Sequence, residues 1–216
     1  MGSTGLVKQG VESPQVFLVS SFDLHLYDFP LLEQTLEREL PAHKRDALLL
    51  TIPNISLEVI SKKKKALKAK IKYYAAASAL AAAVPVPGLS CAVDSAMLVV
   101  NITKYQVTFG LETESLKKLA HHTKVPLDDL RAVITSPLSL NKISTDLIVK
   151  VLCFSLTDAA LLAAEEGFRF IPFIGIPAAM TLSFAFTYKV LSTSLDMLNE
   201  DAQKVFTKAL GLNTAV

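Results

Sequence analysis

From Val16 to Val19 the chain runs VFLV, four apolar residues without a break, and then reaches Ser20-Ser21-Phe22-Asp23. A short apolar run with no alternation, closed by small polar residues, is the pattern of a parallel strand buried on both faces whose C-terminal end meets a ligand crevice. A strand is therefore predicted at about 16–20, and one strand makes no sheet. From Phe29 onward the apolar spacing becomes helical. Leu31, Leu32, Thr35, Leu36 and Leu40 lie on or near one face, which predicts a helix over about 29–40 that Pro41 stops. Pro41 suits the first position of a second short helix, about 42–50, which Pro53 ends. Asn54 and Ser56 are N-cap residues for a long helix running through a lysine cluster into YYAAASALAAAV. Helical spacing returns at about 113–122, after Pro126 with Asp128 and Asp129, over about 143–166 and at about 199–210. Nothing beyond Pro53 carries a strand pattern, so residues 54–216 read as a separate, helical domain.

Pro85-Val86-Pro87-Gly88-Leu89 and Pro172-Phe173-Ile174-Gly175-Ile176 echo one another, each a P-x-x-G followed by Leu or Ile between apolar helices. Proline stops the first helix and glycine permits a tight reversal, so each reads as the turn of an αα-hairpin, and two hairpins make a bundle. Tyr73–Val93 and Phe170–Tyr188 contain no charge and are long enough to span a bilayer. The prolines and glycine divide each run into pieces too short to cross, and alanine inserts less readily than leucine, which favours buried bundle helices. Membrane-inserting hairpins remain the rival reading.

Composition supports a packed core, with 51% of residues hydrophobic, but offers no general electrostatic partner: 22 Lys plus Arg stand against 20 Asp plus Glu. No secretory h-region opens the sequence, and Cys91 and Cys153 read as reduced core thiols. The one concentrated charge is SKKKKALKAKIK, with lysines at 62, 63, 64, 65, 68, 70 and 72 spread over most of the helix circumference. It is either a solvated helix whose lysine stems cover apolar neighbours or a contact for an anionic lipid or partner surface. His121 and His122 are adjacent and point about 100° apart on a helix, so they do not share a metal. Asp94 and Asp158 fall within apolar helices, either as acid/base groups with raised pKa values or, more simply, as groove-facing or paired groups. Gly5–Gly10 has phosphate-loop spacing, but Val11-Glu12 stands where Lys then Ser or Thr is needed. Thr123-Lys124-Val125 begins like a guanine-reading box, yet Pro126 occupies the Asp position.

With PQVFLVSSFDLHLYDFP, LPAHKRDALLLTIP, AAAVPVPGLSCAVD, NITKYQVTFGL, FRFIPFIGIPAAM and LNEDAQKVF on the page, the chain resembles the interferon-inducible, immunity-related GTPases of the dynamin-like superfamily. The likeness covers nearly everything from Ser13. It implies that residues 1–53 are the last strand and helices of a Ras-like α/β domain, with Ser20 and Ser21 in the loop against the guanine base, and that 54–216 is that family's mainly α helical domain. It further implies GTP or GDP with Mg²⁺ in the intact family, assembly with relatives, and peripheral association of a cytoplasmic protein with endomembranes or pathogen vacuoles. The phosphate loop and guanine-box Asp are absent from these residues, so no hydrolysis is expected of the chain alone. The helix after Pro177 resembles the family's membrane-targeting region. There Leu182, Phe186, Val190 and Leu195, with Phe184 and Leu191 beside them, form an expected apolar face opposite Lys189 and Asp196; Lys62, Lys63, Lys64 and Lys65 are the alternative contact. A catalytically inert regulator of intact relatives is the remaining alternative.

Overall fold

A computed structural model describes residues 15–20, 27–84, 89–152 and 175–211, and the chain divides into two compact units, Met1–Ile55 and Ser56–Val216. In the first, helices α1 (Phe29–Glu39) and α2 (Ala42–Thr51) form where the spacing predicted, with Pro30 in the first turn of α1 and Pro41 before α2. The strand expected at 16–20 is not present among the described residues. Val19 makes one isolated antiparallel bridge to Tyr27, with Asp28 N donating to Leu18 O at 2.8 Å and Leu18 N donating to Asp28 Oδ2 at 3.0 Å. Val16, Leu18 and Val19 are exposed. A strand of the buried parallel type needs neighbours on both edges and cover on both faces, and among the described residues this segment has one bridge and no such cover.

The second unit is built on three long helices: α3 (Leu57–Ala82), α4 (Leu89–Thr108) and, at the end of the chain, a 35-residue helix, Gly175–Ala209. Between them lie α5 (Thr113–Thr123), α6 (Leu127–Ala132), α7 (Pro137–Leu140) and α8 (Thr145–Leu152); the final helix is α9. Ser56 caps α3, its Oγ accepting from Val59 N. Ile60, Lys63, Leu67, Ile71, Ala75, Ser78 and Ala82 follow at three-and-four spacing and are all buried, making the stripe that packs most extensively against α9. Ser78 meets Ser183 and Thr187 at one end of this seam and Lys64 meets Asp196 further along, so α3 and α9 are antiparallel. Lys63 reaches the last residue of α4, whereas Asp94 near its start bonds to Ser183 beside Ser78, so α3 and α4 are antiparallel too. The two helices thus run as the hairpin reading requires; Pro85–Gly88 itself lies outside the described residues, as do Pro172–Ile174, Cys153, Asp158 and the remainder of the helix expected to reach Glu166.

Helix α9 corrects a boundary. A separate helix was expected from about Asn199, but the chain continues unbroken from Gly175, because no proline or glycine occurs between Thr181 and Ala209. Pro177 falls in the first turn, where its missing N–H costs no helical bond.

One carboxylate fastens the middle of the chain to α9. Asp201 is fully buried; its Oδ1 accepts from Thr135 N (3.0 Å) and Thr135 Oγ1 (2.9 Å), and its Oδ2 from Ser136 N (3.0 Å) and Ser139 Oγ (2.6 Å). At the other end of α7, Gln106 Nε2 lies 3.2 Å from each of the carbonyl oxygens of Leu138, Ser139 and Asn141. The four-residue helix α7 is therefore held at its donor end by α9 and at its acceptor end by α4. Asp201→Ala would leave buried N–H and O–H donors without acceptors and is expected to destabilise the fold by about 3 kcal/mol, read as a lower urea midpoint at unchanged slope. Tyr105 is the opposite case: its hydroxyl is buried with no hydrogen-bond partner among the described residues, and burial pushes its phenol well above the ordinary range. Tyr105→Phe is expected to leave the melting temperature unchanged or raise it, since it removes an unsatisfied polar atom and no packing.

Candidate functional site

The lysine cluster on α3 separates into three different environments. Lys62 pairs with Glu58 one turn earlier (3.1 Å) and Lys64 with Asp196 on α9 (2.7 Å). Lys63 is 1% exposed, and its Nζ donates to Thr108 O at 3.0 Å. Why a lysine belongs there follows from how α4 ends. Gly110 adopts φ +64°, Leu111 N donates to Gln106 O and Gly110 N to Val107 O, a Schellman arrangement that leaves the Thr108 carbonyl for another donor. Lys63 supplies that donor and places positive charge at the negative end of the helix dipole. Desolvation lowers its ammonium pKa from 10.5 to about 8.

Lys65, Lys68 and Lys72 stay on the exposed face of α3, with no carboxylate paired to them among the described residues. At about 100° per residue they fall within about 60° of arc, and Ala69, Tyr73, Ala76 and Leu80 occupy the adjoining arc of about the same width. All four of these are exposed, Tyr73 to 66% and Leu80 to 65%, and Lys72 Nζ lies 5.1 Å from the centroid of the Tyr73 ring.

On α9 the expected apolar face turns inward. Phe186, Val190, Leu191 and Leu195 are buried, Leu191 and Leu195 completely, so in this fold they are core side chains and not a surface. A helical stripe three and four apart is the same pattern whether it meets lipid or protein, and only packing distinguishes the two. Phe184 is partly exposed and stacked on Tyr188 with ring centroids 6.1 Å apart and planes 13° from parallel. Sequence reasoning did not single out Tyr73, Leu80 or Tyr188. The signal for the first two was available in the apolar residues that continue the exposed arc of α3 beyond its lysines.

Ser20 ends the extended segment of the first unit, and Ser21 lies outside the described residues. Leu18 and Asp28 are hydrogen-bonded to one another, and Tyr27 adopts φ +61°. The described donors of this unit do not make a phosphate cradle. Pro30 removes an N–H from the first turn of α1, Pro41 precedes α2, and neither helix start follows a glycine-rich loop with lysine. His121 and His122 are exposed and edge-on at 5.7 Å, and no metal-binding group of three or more His, Cys, Asp or Glu occurs among the described residues. No helix of the described residues is long and apolar enough to cross a membrane.

The class these features define is a helical domain preceded by a short α-rich unit, and comparison with known proteins supplies its family. The family model for interferon-inducible GTPases (IIGP) matches residues 2–209, and the chain belongs to that family. It is 42% identical over 201 residues to Interferon-inducible GTPase 5 of Bos taurus, covering 93% of this chain and 43% of the relative. It is 41% identical over 201 residues to Interferon-inducible GTPase 5 of Rattus norvegicus, with the same coverage of 93% and 43%. Identity to Interferon-gamma-inducible GTPase 10 of Mus musculus is 32% over 208 residues, 94% of this chain and 46% of that protein. The chain thus spans a little under half the length of these relatives.

The Lys63 environment gives a pH dependence whose sign is fixed. Its folded pKa of about 8 lies below the unfolded 10.5, so between those values the unfolded chain binds more protons and stability rises with pH. Urea midpoints measured from pH 8 to about 10 should climb in the wild type relative to Lys63→Met, in which that component is absent.

Proposed function

We propose that this chain carries the helical region with which an immunity-related GTPase contacts an endomembrane or pathogen-vacuole membrane and assembles with relatives in interferon-driven defence. Its first unit is read as the closing segment of the nucleotide-binding domain, with Ser20 and Ser21 beside the guanine base of bound GTP or GDP. The observation that carries the reading is the family match, which runs through both units and across the helices of the second. Mg²⁺ and the phosphates would be held by residues these 216 do not contain, since no G-x-x-x-x-G-K-[ST] occurs in them. The part of this chain is structural and recognitional: it presents a stable helical body with an exposed basic and apolar exterior. A peripheral, cytoplasmic-side position suits such a body better than insertion, because the apolar stretches flanking residues 85–88 bury a hydrogen-bonded polar cluster of Ser78, Asp94, Ser183 and Thr187.

Two measurements test this division of labour. Calorimetric titration of the chain with GTP and Mg²⁺ is expected to show no binding of micromolar strength, about −8 kcal/mol; such binding would overturn it. Flotation with anionic vesicles, alone and with a full-length relative loaded with GTP, is expected to carry the chain upward in both cases. A chain that partitions into detergent phase and resists high-salt extraction would instead indicate hairpin insertion, and one that floats only with its relative would indicate a regulator.

A further inference from the structure

We infer that the exposed face of α3, Lys65 to Leu80, is a lipid-contact surface that lies flat on an anionic bilayer. This rests on the membrane reading above but moves the contact from α9 to α3. Two adjoining stripes carry the argument. Lys65, Lys68 and Lys72 form one edge and have no carboxylate partner among the described residues, unlike Lys62 and Lys64 on the same helix. Ala69, Tyr73, Ala76 and Leu80 form the other, with the two large side chains about two-thirds exposed. The face extends over about 22 Å of helix axis.

That combination fits the boundary between headgroups and acyl chains. The apolar stripe sits at the acyl boundary while lysine stems run alongside it and lift their ammonium groups to the phosphates. Tyrosine suits the same level, apolar in its ring and polar at its tip, and Lys72 already lies over the Tyr73 ring. A second copy of this chain is a poorer occupant. Between Glu58 and Asp94 there is no acidic residue, so the face would meet its own positive charge. The buried side of α3 is committed to α4 and α9, which leaves the exposed arc free to engage lipid without unfolding the bundle.

The chain contains no tryptophan, so one introduced at a chosen position reports that position alone. Tyr73→Trp and Leu80→Trp place the reporter on the face; Val107→Trp and Leu140→Trp place it at exposed positions on α4 and α7. Each full-length variant is mixed with vesicles of equal parts phosphatidylcholine and phosphatidylserine, or of phosphatidylcholine alone, after circular dichroism has verified its fold. Emission is expected to shift to shorter wavelength at 73 and 80 only, and with the anionic vesicles only. Lys65→Gln, Lys68→Gln and Lys72→Gln combined should weaken vesicle binding about a hundredfold, about fivefold per lysine, and raised salt should do the same. Lys117→Gln with Lys118→Gln, on α5, should change it little. Binding with a shift at 107 or 140 and none at 73 and 80 would overturn the assignment of the face while leaving the membrane role standing. Absence of binding to either vesicle would overturn both. Capture of polyglutamate without any vesicle-induced shift would identify an acidic protein as the occupant and overturn the lipid assignment.

Discussion

The antiparallel packing of α3 on α9 is the constraint from which the rest of the helical unit follows. Its two ends are made of different material. Toward the start of α9 the buried residues are small, alanines with a few hydroxyls: Ala75, Ser78, Ala79 and Ala82 from α3, Ala179, Ser183 and Thr187 from α9. Toward the other end they are large and apolar, among them Ile60, Leu67, Ile71, Leu191, Leu195 and Leu198. Small residues let backbones approach but specify position weakly, since one alanine fits much like another. The hydroxyl cluster supplies what alanine does not, because Ser78 Oγ at 2.6 Å from Ser183 Oγ and 2.9 Å from Thr187 Oγ1 is satisfied only in one register. Sliding the helices by a turn would leave these groups buried and unpaired.

Charged groups in the interior behave as fasteners of the same kind. Asp201 collects four donors from the segment Thr135–Ser139, and Lys63 closes the carbonyl end of α4. Each joins elements far apart in sequence, Asp201 through two backbone N–H groups and two hydroxyls and Lys63 through a backbone carbonyl. This changes the meaning of the lysine cluster. Counted in sequence it is one basic feature; in three dimensions one member caps a helix, two make ion pairs, and those on the exposed arc alone are disposed toward a partner.

The relation to the GTPase family gives these details a place. The family match runs across the helical unit, whose core is made of its own apolar side chains. The first unit differs. Thr35 and Ile55 are the buried residues that its described portion contributes, while Val16, Leu18, Val19, Tyr27 and Leu31 are exposed.

Much was already decided by local sequence. The helices α1 and α2, the cap at Ser56, the start near Pro126 and the course of α5 follow from proline, capping residues and three-and-four spacing, which act within a few residues and need no partner. Periodicity could also mark an apolar stripe on α9, but it could not say what that stripe touches; burial of Phe186, Val190 and Leu191 was decided by α3 and α4. The continuity of α9 through Asn199 was legible only in the absence of breakers. The cap formed by Lys63, the ion pair of Lys64 and the fourfold role of Asp201 were not legible at all, because each depends on atoms 45 to 132 residues distant in sequence coming within hydrogen-bonding reach. Local chemistry chose the elements, and long-range packing chose which of their side chains are interior, which are fasteners and which are left for the outside.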